Sequence, residues 1–166
     1  MGPHAGEGDF VLNFLPLAHI LEFVLENATI IWGAAMGYGN PRTLSDKAVR
    51  NCKGDIRELR PTILAAVPAV WETVKKGIMD QVSKLPAFKQ KMFWGAMSLK
   101  GALLQMGLPG VAMIDNVVFK KVKEATGGRL RISMNGGGPI AKETQYFISM
   151  AICPMIMGYG LTETSA

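Results

Sequence analysis

The strongest constraint on this chain is an alternation of short apolar runs, each too brief for a buried helix, with longer stretches of helical periodicity. The runs are Phe10–Leu15, ended by Pro16; Ala34–Tyr38; Thr62–Val67; Leu130, Ile132 and Met134 at alternate positions; and Met155–Met157. Between them lie Leu17–Trp32, Asp55–Leu59, Pro68–Met106 and a stretch starting at Val111 and ended by Gly127-Gly128, all helical in pattern. Strand, helix, strand, helix, strand predicts an α/β domain with a mostly parallel sheet and flanking helices, since parallel strands need crossover connections. The 166 residues, 49% of them apolar, suffice for one domain with a substantial core. No linker, internal repeat or low-complexity stretch divides the chain.

Two stretches near the end carry chemistry. Asn135-Gly136-Gly137-Gly138-Pro139 follows the alternating run and precedes a helix-like segment, so it reads as a strand-to-helix turn whose glycines let a ligand approach the backbone. About twenty residues on, Gly158-Tyr159-Gly160-Leu161-Thr162-Glu163-Thr164 follows the last apolar run. A flat heterocycle can stack on Tyr159, the Thr162 and Thr164 hydroxyls can donate to phosphate oxygens, and Glu163 is a hard oxygen ligand suited to Mg²⁺. Taken alone, Thr-Glu-Thr reads as a helix start or surface turn, and three glycines read as a loop. Together they are equipment for a magnesium nucleotide.

These residues resemble the adenylate-forming enzymes, and among them the long-chain fatty-acid CoA ligases of fungi. Tyr159 to Thr164 matches the nucleotide motif of that family letter for letter, and Gly136–Pro139 sits where the family has its adenine-contacting turn. Asn135 stands where the family usually has Ser, and Gly138 where it has Ala or Ser. Further matches are Phe14-Leu15-Pro16-Leu17-Ala18-His19, Asp55-Ile56 with Pro61-Thr62, and Val67-Pro68-Ala69-Val70-Trp71-Glu72, so the resemblance spans nearly everything from Phe10 onward. It implies a single partial AMP-binding domain over residues 1–166, an internal piece of the large N-terminal domain. A glycine-rich phosphate loop upstream, and a ribose-binding aspartate, a hinge and a small C-terminal domain downstream, are then expected outside this sequence.

The implied activity is ATP-dependent ligation of a long-chain fatty acid to coenzyme A through an acyl-adenylate, with Mg²⁺ as metal and with this piece inactive by itself. The resemblance implies that His19 lies beside the substrate carboxylate and adenylate phosphate, and that Thr162 serves the phosphate. Glu163 would hold the metal, Tyr159 and Gly160 would flank the adenine, and the Gly136, Gly137 and Gly138 backbone would meet its edge. Phe23, one helical turn after His19, falls where related ligases place an aromatic gate, although the helix alone predicts core packing for it. Without the resemblance, His19 reads as a helix N-terminal residue satisfied by a backbone carbonyl.

Several further features bear on partners. The net charge of +5 mildly favours anionic ligands or membrane surfaces; the basic residues lack the interleaved aromatics of a nucleic-acid groove, and no nucleic-acid partner is expected. From Leu17 to Trp32, His19, Glu22, Glu26 and Thr29 share one helical face, and two glutamates within so short a stretch argue against a membrane span. Val70, Val74, Ile78 and Val82 form one face of the next helix, with Lys75, Lys76, Asp80 and Lys84 largely opposite. Phe88–Gln105 mixes Met92, Phe93, Trp94, Met97 and Leu99 with Lys89, Lys91 and Lys100. That composition suits either a helix docked on its own domain, the favoured reading, or peripheral association with an acidic membrane. The expected location is the cytoplasmic side, peripheral to endoplasmic reticulum or lipid-droplet membranes. A non-catalytic membrane- or partner-binding protein derived from such a ligase is the alternative. Lys120, Lys121, Lys123, Arg129 and Arg131 read as a solvated basic face. Cys52 and Cys153 stand alone and are expected to be reduced packing residues. Met1–Asp9 reads as a loop; it lacks a basic signal head, and Gly6 replaces the Ser or Thr of a myristoylation motif.

Overall fold

The computed structural model describes residues 5–46 and 48–164. Five strands form one sheet: β1 (Phe10–Asn13), β2 (Ala35–Tyr38), β3 (Ile63–Ala66), β4 (Ile132–Asn135) and β5 (Met155–Met157). The order is β2-β1-β3-β4-β5 and every neighbouring pair is parallel, as the alternation of runs and helices predicts. The chain steps from β1 outward to β2 and then returns to the other side of β1, so the order reverses between β1 and β3. In open parallel sheets, ligands bind at the carboxyl ends of strands where the order reverses. That rule locates the functional end before any side chain is considered.

Helix α1 (Ile20–Trp32) lies on one face, where Leu25 packs with Val11, Ile63 and Ala65. Helices α2 (Asp55–Leu59), α3 (Pro68–Ser83), α4 (Ala87–Met106) and α7 (Lys142–Ala151) surround the main core, which contains Leu12, Leu64, Ala66, Trp71, Ile78, Phe93, Met97, Phe147 and Ile148. The stretch after Pro109 is one helix interrupted by a π turn: α5 (Val111–Ile114), the π turn at Asp115–Phe119, and α6 (Lys120–Ala125). No helix among the described residues is long and apolar enough to cross a membrane.

Four expectations are corrected. Phe23, for which the helix alone predicts core packing, is exposed together with Ile30 and Ile31, and the face of α1 turned inward is the one bearing the buried Glu22 and Thr29. Lys75 is half-buried and donates to Thr144 Oγ1 at 2.9 Å, so it belongs to the α3–α7 packing and not to a solvated face. The basic cluster is divided: Lys123 pairs with Asp115, Arg131 pairs with Asp9, and Arg129 lies over the Phe10 ring at 4.8 Å. Cys153 is buried, and burial pushes its thiol up to about 11, but Cys52 is exposed and packs nothing.

At the amino ends of the strands, Asp9 ties the layers together. It accepts from Arg131 Nε at 2.9 Å, Thr62 Oγ1 at 2.6 Å and the Gly6 amide at 3.1 Å. The Arg131 guanidinium, with help from Thr62 and Gly6 and against the effect of burial, holds the Asp9 carboxyl at about 2, below its ordinary 3.8. A depressed folded value contributes stability above the ordinary range, and that contribution is lost as pH falls through about 2. Urea midpoints measured between pH 2 and 6 should therefore fall toward acid in the wild type. Asp9→Asn should flatten that slope and lower stability at neutral pH by about 2.5 kcal/mol. An unchanged slope in the variant would show that other groups set the acid limit.

Candidate functional site

The glycine turn closes on itself at the carboxyl end of β4. The Gly136 amide donates to the Ala66 carbonyl at 3.2 Å, and Asn135 Nδ2 donates to the Gly138 carbonyl at 3.0 Å. Gly137 has φ +74°, and a Cβ there would stand 3.2 Å from His19 Cε1, 3.3 Å from His19 Nε2 and 3.4 Å from Val67 Cγ1. Backbone conformation and close neighbours both demand glycine at this position. Trp71, fully buried near the start of α3, donates its indole N–H to the Met134 carbonyl at 3.2 Å and so braces the strand just before the turn.

His19 is the residue that the turn faces. It is the N-cap of α1: its own amide donates to the Pro16 carbonyl at 2.8 Å, and its Nδ1 accepts from the Leu21 amide at 3.2 Å. The ring is thus satisfied by a backbone N–H, where the sequence read alone suggested a backbone carbonyl. Because Nδ1 accepts, the neutral ring carries its proton on Nε2, the nitrogen beside Gly137. Capping thereby presents an N–H donor at the glycine turn, which suits a carboxylate or phosphate oxygen.

The second motif is joined to the first at one point. The Gly158 amide donates to the Asn135 carbonyl at 2.8 Å, so Asn135 closes the glycine turn with its side chain and anchors the end of β5 with its backbone. Beyond it the chain runs over the surface: Tyr159 is 91% exposed, and Thr162 and Glu163 are exposed on a single 3₁₀ turn, Thr162–Thr164. The structure therefore brings His19 to Gly137, in the turn that also holds Gly136 beside Leu21 and Gly138 beside Pro68. It places Gly160, Tyr159, Thr162 and Glu163 on an adjoining ledge and makes no direct bond between the two groups. No set of three His, Cys, Asp or Glu residues among those described could hold a metal ion. One exposed carboxylate beside a hydroxyl still fits Mg²⁺ carried mainly by nucleotide phosphates, which needs few protein ligands.

Sequence reasoning did not assign a role to Asn135 or Glu22. The Asn in place of the family's usual Ser was the only signal for the first. For Glu22 there was none, since a helical glutamate is ordinarily solvated. Two clefts elsewhere, of about 360 Å³ among Lys75, Met79, Trp94, Met97 and Phe147 and about 300 Å³ among Leu12, Tyr38, Asp55 and Leu59, include none of the candidate residues.

Comparison with known proteins identifies the family of the chain. The family described as AMP-binding enzyme matches residues 2–166. The chain is 54% identical over 166 residues to long-chain-fatty-acid–CoA ligase 2 of Schizosaccharomyces pombe, covering all of this chain and 24% of that protein. It is 50% identical over 161 residues to long-chain-fatty-acid–CoA ligase 1 of Saccharomyces cerevisiae, covering 97% of this chain and 23% of that one. The chain thus spans about a quarter of the length of these relatives. Among solved structures it is similar to the A domain of a carboxylic acid reductase from Segniliparus rugosus, determined with AMP and a co-purified carboxylic acid. That match has a TM-score of 0.57 and 22% identity over 93% of this chain and 21% of the other. The N-terminal domain of FACL13 from Mycobacterium tuberculosis gives a TM-score of 0.57 at 15% identity, over 96% of this chain and 28% of the other. The fold, the paired glycine motifs and these matches agree: the chain belongs to the AMP-binding enzyme family.

Proposed function

We propose that this chain carries part of the nucleotide and acyl-carboxylate site of an ATP-dependent long-chain fatty acid–CoA ligase. The observation that supports this reading is the convergence of His19 Nε2 on Gly137, with Gly158 bound to the same turn. In the proposed reaction a fatty carboxylate attacks the α-phosphorus of ATP, pyrophosphate leaves, and the coenzyme A thiolate then displaces AMP to give the thioester. The first step joins two anions, so its demand is alignment and charge neutralisation. His19 Nε2–H donates to the carboxylate or phosphate oxygen, the Gly136–Gly138 backbone borders the adenine, and Tyr159 stacks on its face. Thr162 donates to phosphate, and Glu163 would help hold Mg²⁺, which would supply charge neutralisation. Base–aromatic stacking is worth about 1–3 kcal/mol.

The test is thermal unfolding of the purified chain with and without Mg·ATP. At roughly ten times Kd, a rise of a few degrees is expected, and Tyr159→Ala should abolish it. The same protein should form no acyl-adenylate with a long-chain fatty acid. A midpoint indifferent to Mg·ATP would remove the nucleotide reading for this chain, and acyl-adenylate formation would show that these residues suffice for the first step.

One observation favours a second, compatible reading at a membrane surface. Helix α4 is apolar on both sides: Phe93 and Met97 face the core, while Phe88, Met92, Leu99 and Met106 are exposed at spacings that align within about 40°. Lys84, Lys89 and Lys91 are also exposed beside the start of this stripe. Cosedimentation with phosphatidylserine vesicles should be salt-sensitive, be lost in Phe88→Asp with Met92→Asp, and persist in Glu163→Gln. Equal binding to neutral vesicles would argue against the electrostatic part of this reading.

A further inference from the structure

The inward face of α1 poses a problem that its sequence does not solve. Glu22 Oε2 and Asn13 Oδ1 are both buried and without a hydrogen-bond partner, in residues 2% exposed or less. They stand in the same layer. Leu25, one turn after Glu22, packs with Val11, two residues before Asn13, and α1 runs opposite to β1. The Glu22 carboxyl already accepts from the Leu15 amide, two residues beyond Asn13. Two buried acceptor oxygens with no donor between them are costly, and one proton resolves both: a carboxylic acid donates where a carboxylate cannot.

The surroundings favour the acid. Burial is the main cause that raises Glu22 from 4.5 to about 7, with the neighbouring charge of Glu26 adding to it and the Leu15 amide opposing. The other side chains of this layer on β3 and β4, Ile63, Ala65, Ile132 and Met134, are apolar. None of the four ion pairs among the described residues includes Glu22. The only other titratable group beside it on the β1–α1 turn is His19, the N-cap three residues earlier.

We propose that Glu22 is a positioning residue of the candidate site: as a carboxylic acid it joins the Leu15 amide to the Asn13 side-chain oxygen, and so fixes the turn that presents His19 Nε2 to Gly137. This rests on His19 being a site residue, but its test needs no nucleotide, so either idea can fail without the other. The chain has two histidines, His4 and His19. In ¹⁵N-histidine-labelled protein, the ring nitrogen shifts report which nitrogen carries the proton, with His19→Gln assigning the signals. Within the neutral fraction of the ring, wild-type His19 should favour Nδ1 as its acceptor nitrogen while Glu22 is protonated and lose this preference as pH rises through about 7. Glu22→Gln, which mimics the acid at every pH, should hold the preference to pH 9. Glu22→Met, which keeps volume but not hydrogen bonding, should lose it throughout while circular dichroism stays native. A glutamine variant that behaves like the methionine variant, or a methionine variant with an unaltered His19 ring, would overturn the proposal.

Discussion

Asp115→Ala is expected to lower the unfolding free energy by about 3–5 kcal/mol, because it strands a buried cation. Lys100, 4% exposed, points its Nζ at Asp115 Oδ1 at 2.5 Å and at the Met150 carbonyl at 2.7 Å, and lies 5.4 Å from the centre of the Phe119 ring. Lys123 reaches the other carboxylate oxygen at 2.7 Å. Asp115 and Phe119 open and close the π turn, so the wider turn gives Lys100 a carboxylate and an aromatic ring from one short segment. Removing the carboxylate leaves two ammonium groups facing a deleted partner, one of them nearly out of water. Lys100→Met should cost less, since Asp115 keeps Lys123. The double change Lys100→Met with Asp115→Leu should recover most of the loss, as apolar replacements of buried ion pairs commonly do. Urea unfolding of the three variants separates these cases. A loss below about 1 kcal/mol in Asp115→Ala would mean that water reaches Lys100 freely and that the pair contributes no more than a surface one.

The same cluster shows where reading the sequence stops. Lys100 and Lys123 looked like solvated lysines because their partner lies 15 residues from one and eight from the other, across a helical connection whose π turn has no sequence signature. The strands were legible because each run is bounded by Pro, Gly or a polarity change, and their parallel pairing followed from the helices between them. Helix α1 was legible as a helix but not in its orientation: apolar residues occur on all sides of it, so periodicity names the faces without saying which one meets the sheet. Glu22 and Thr29 went inward, and Ile30 and Ile31 outward. In the candidate site, the glycines and His19 were legible through their motif. The hydrogen bonds that join them, from Gly158 to Asn135 and from Leu21 to His19 Nδ1, depend on tertiary placement that no local pattern encodes.

Trp71→Ala carries the other large expected effect, and it connects stability to the site. The side chain is fully buried in the main core, so truncation should cost about 3–5 kcal/mol through lost apolar contact and the cavity left behind. It also removes an N–H that donates to the Met134 carbonyl at 3.2 Å, one residue before Asn135 and in addition to the sheet hydrogen bonds of β4. Stability near 5–15 kcal/mol is typical of a domain, so this single change removes a large share of it. Trp71→Phe separates the two contributions. It keeps most of the apolar volume but not the donor, and should cost about 1–3 kcal/mol, from the lost indole hydrogen bond and the space the smaller ring leaves. If the indole N–H braces the glycine turn, the Phe variant should also lose part of the Mg·ATP-induced rise in Tm while remaining folded. A Phe variant that unfolds earlier yet keeps the full rise would confine Trp71 to the core and leave the turn held by the Gly136 amide and Asn135 alone.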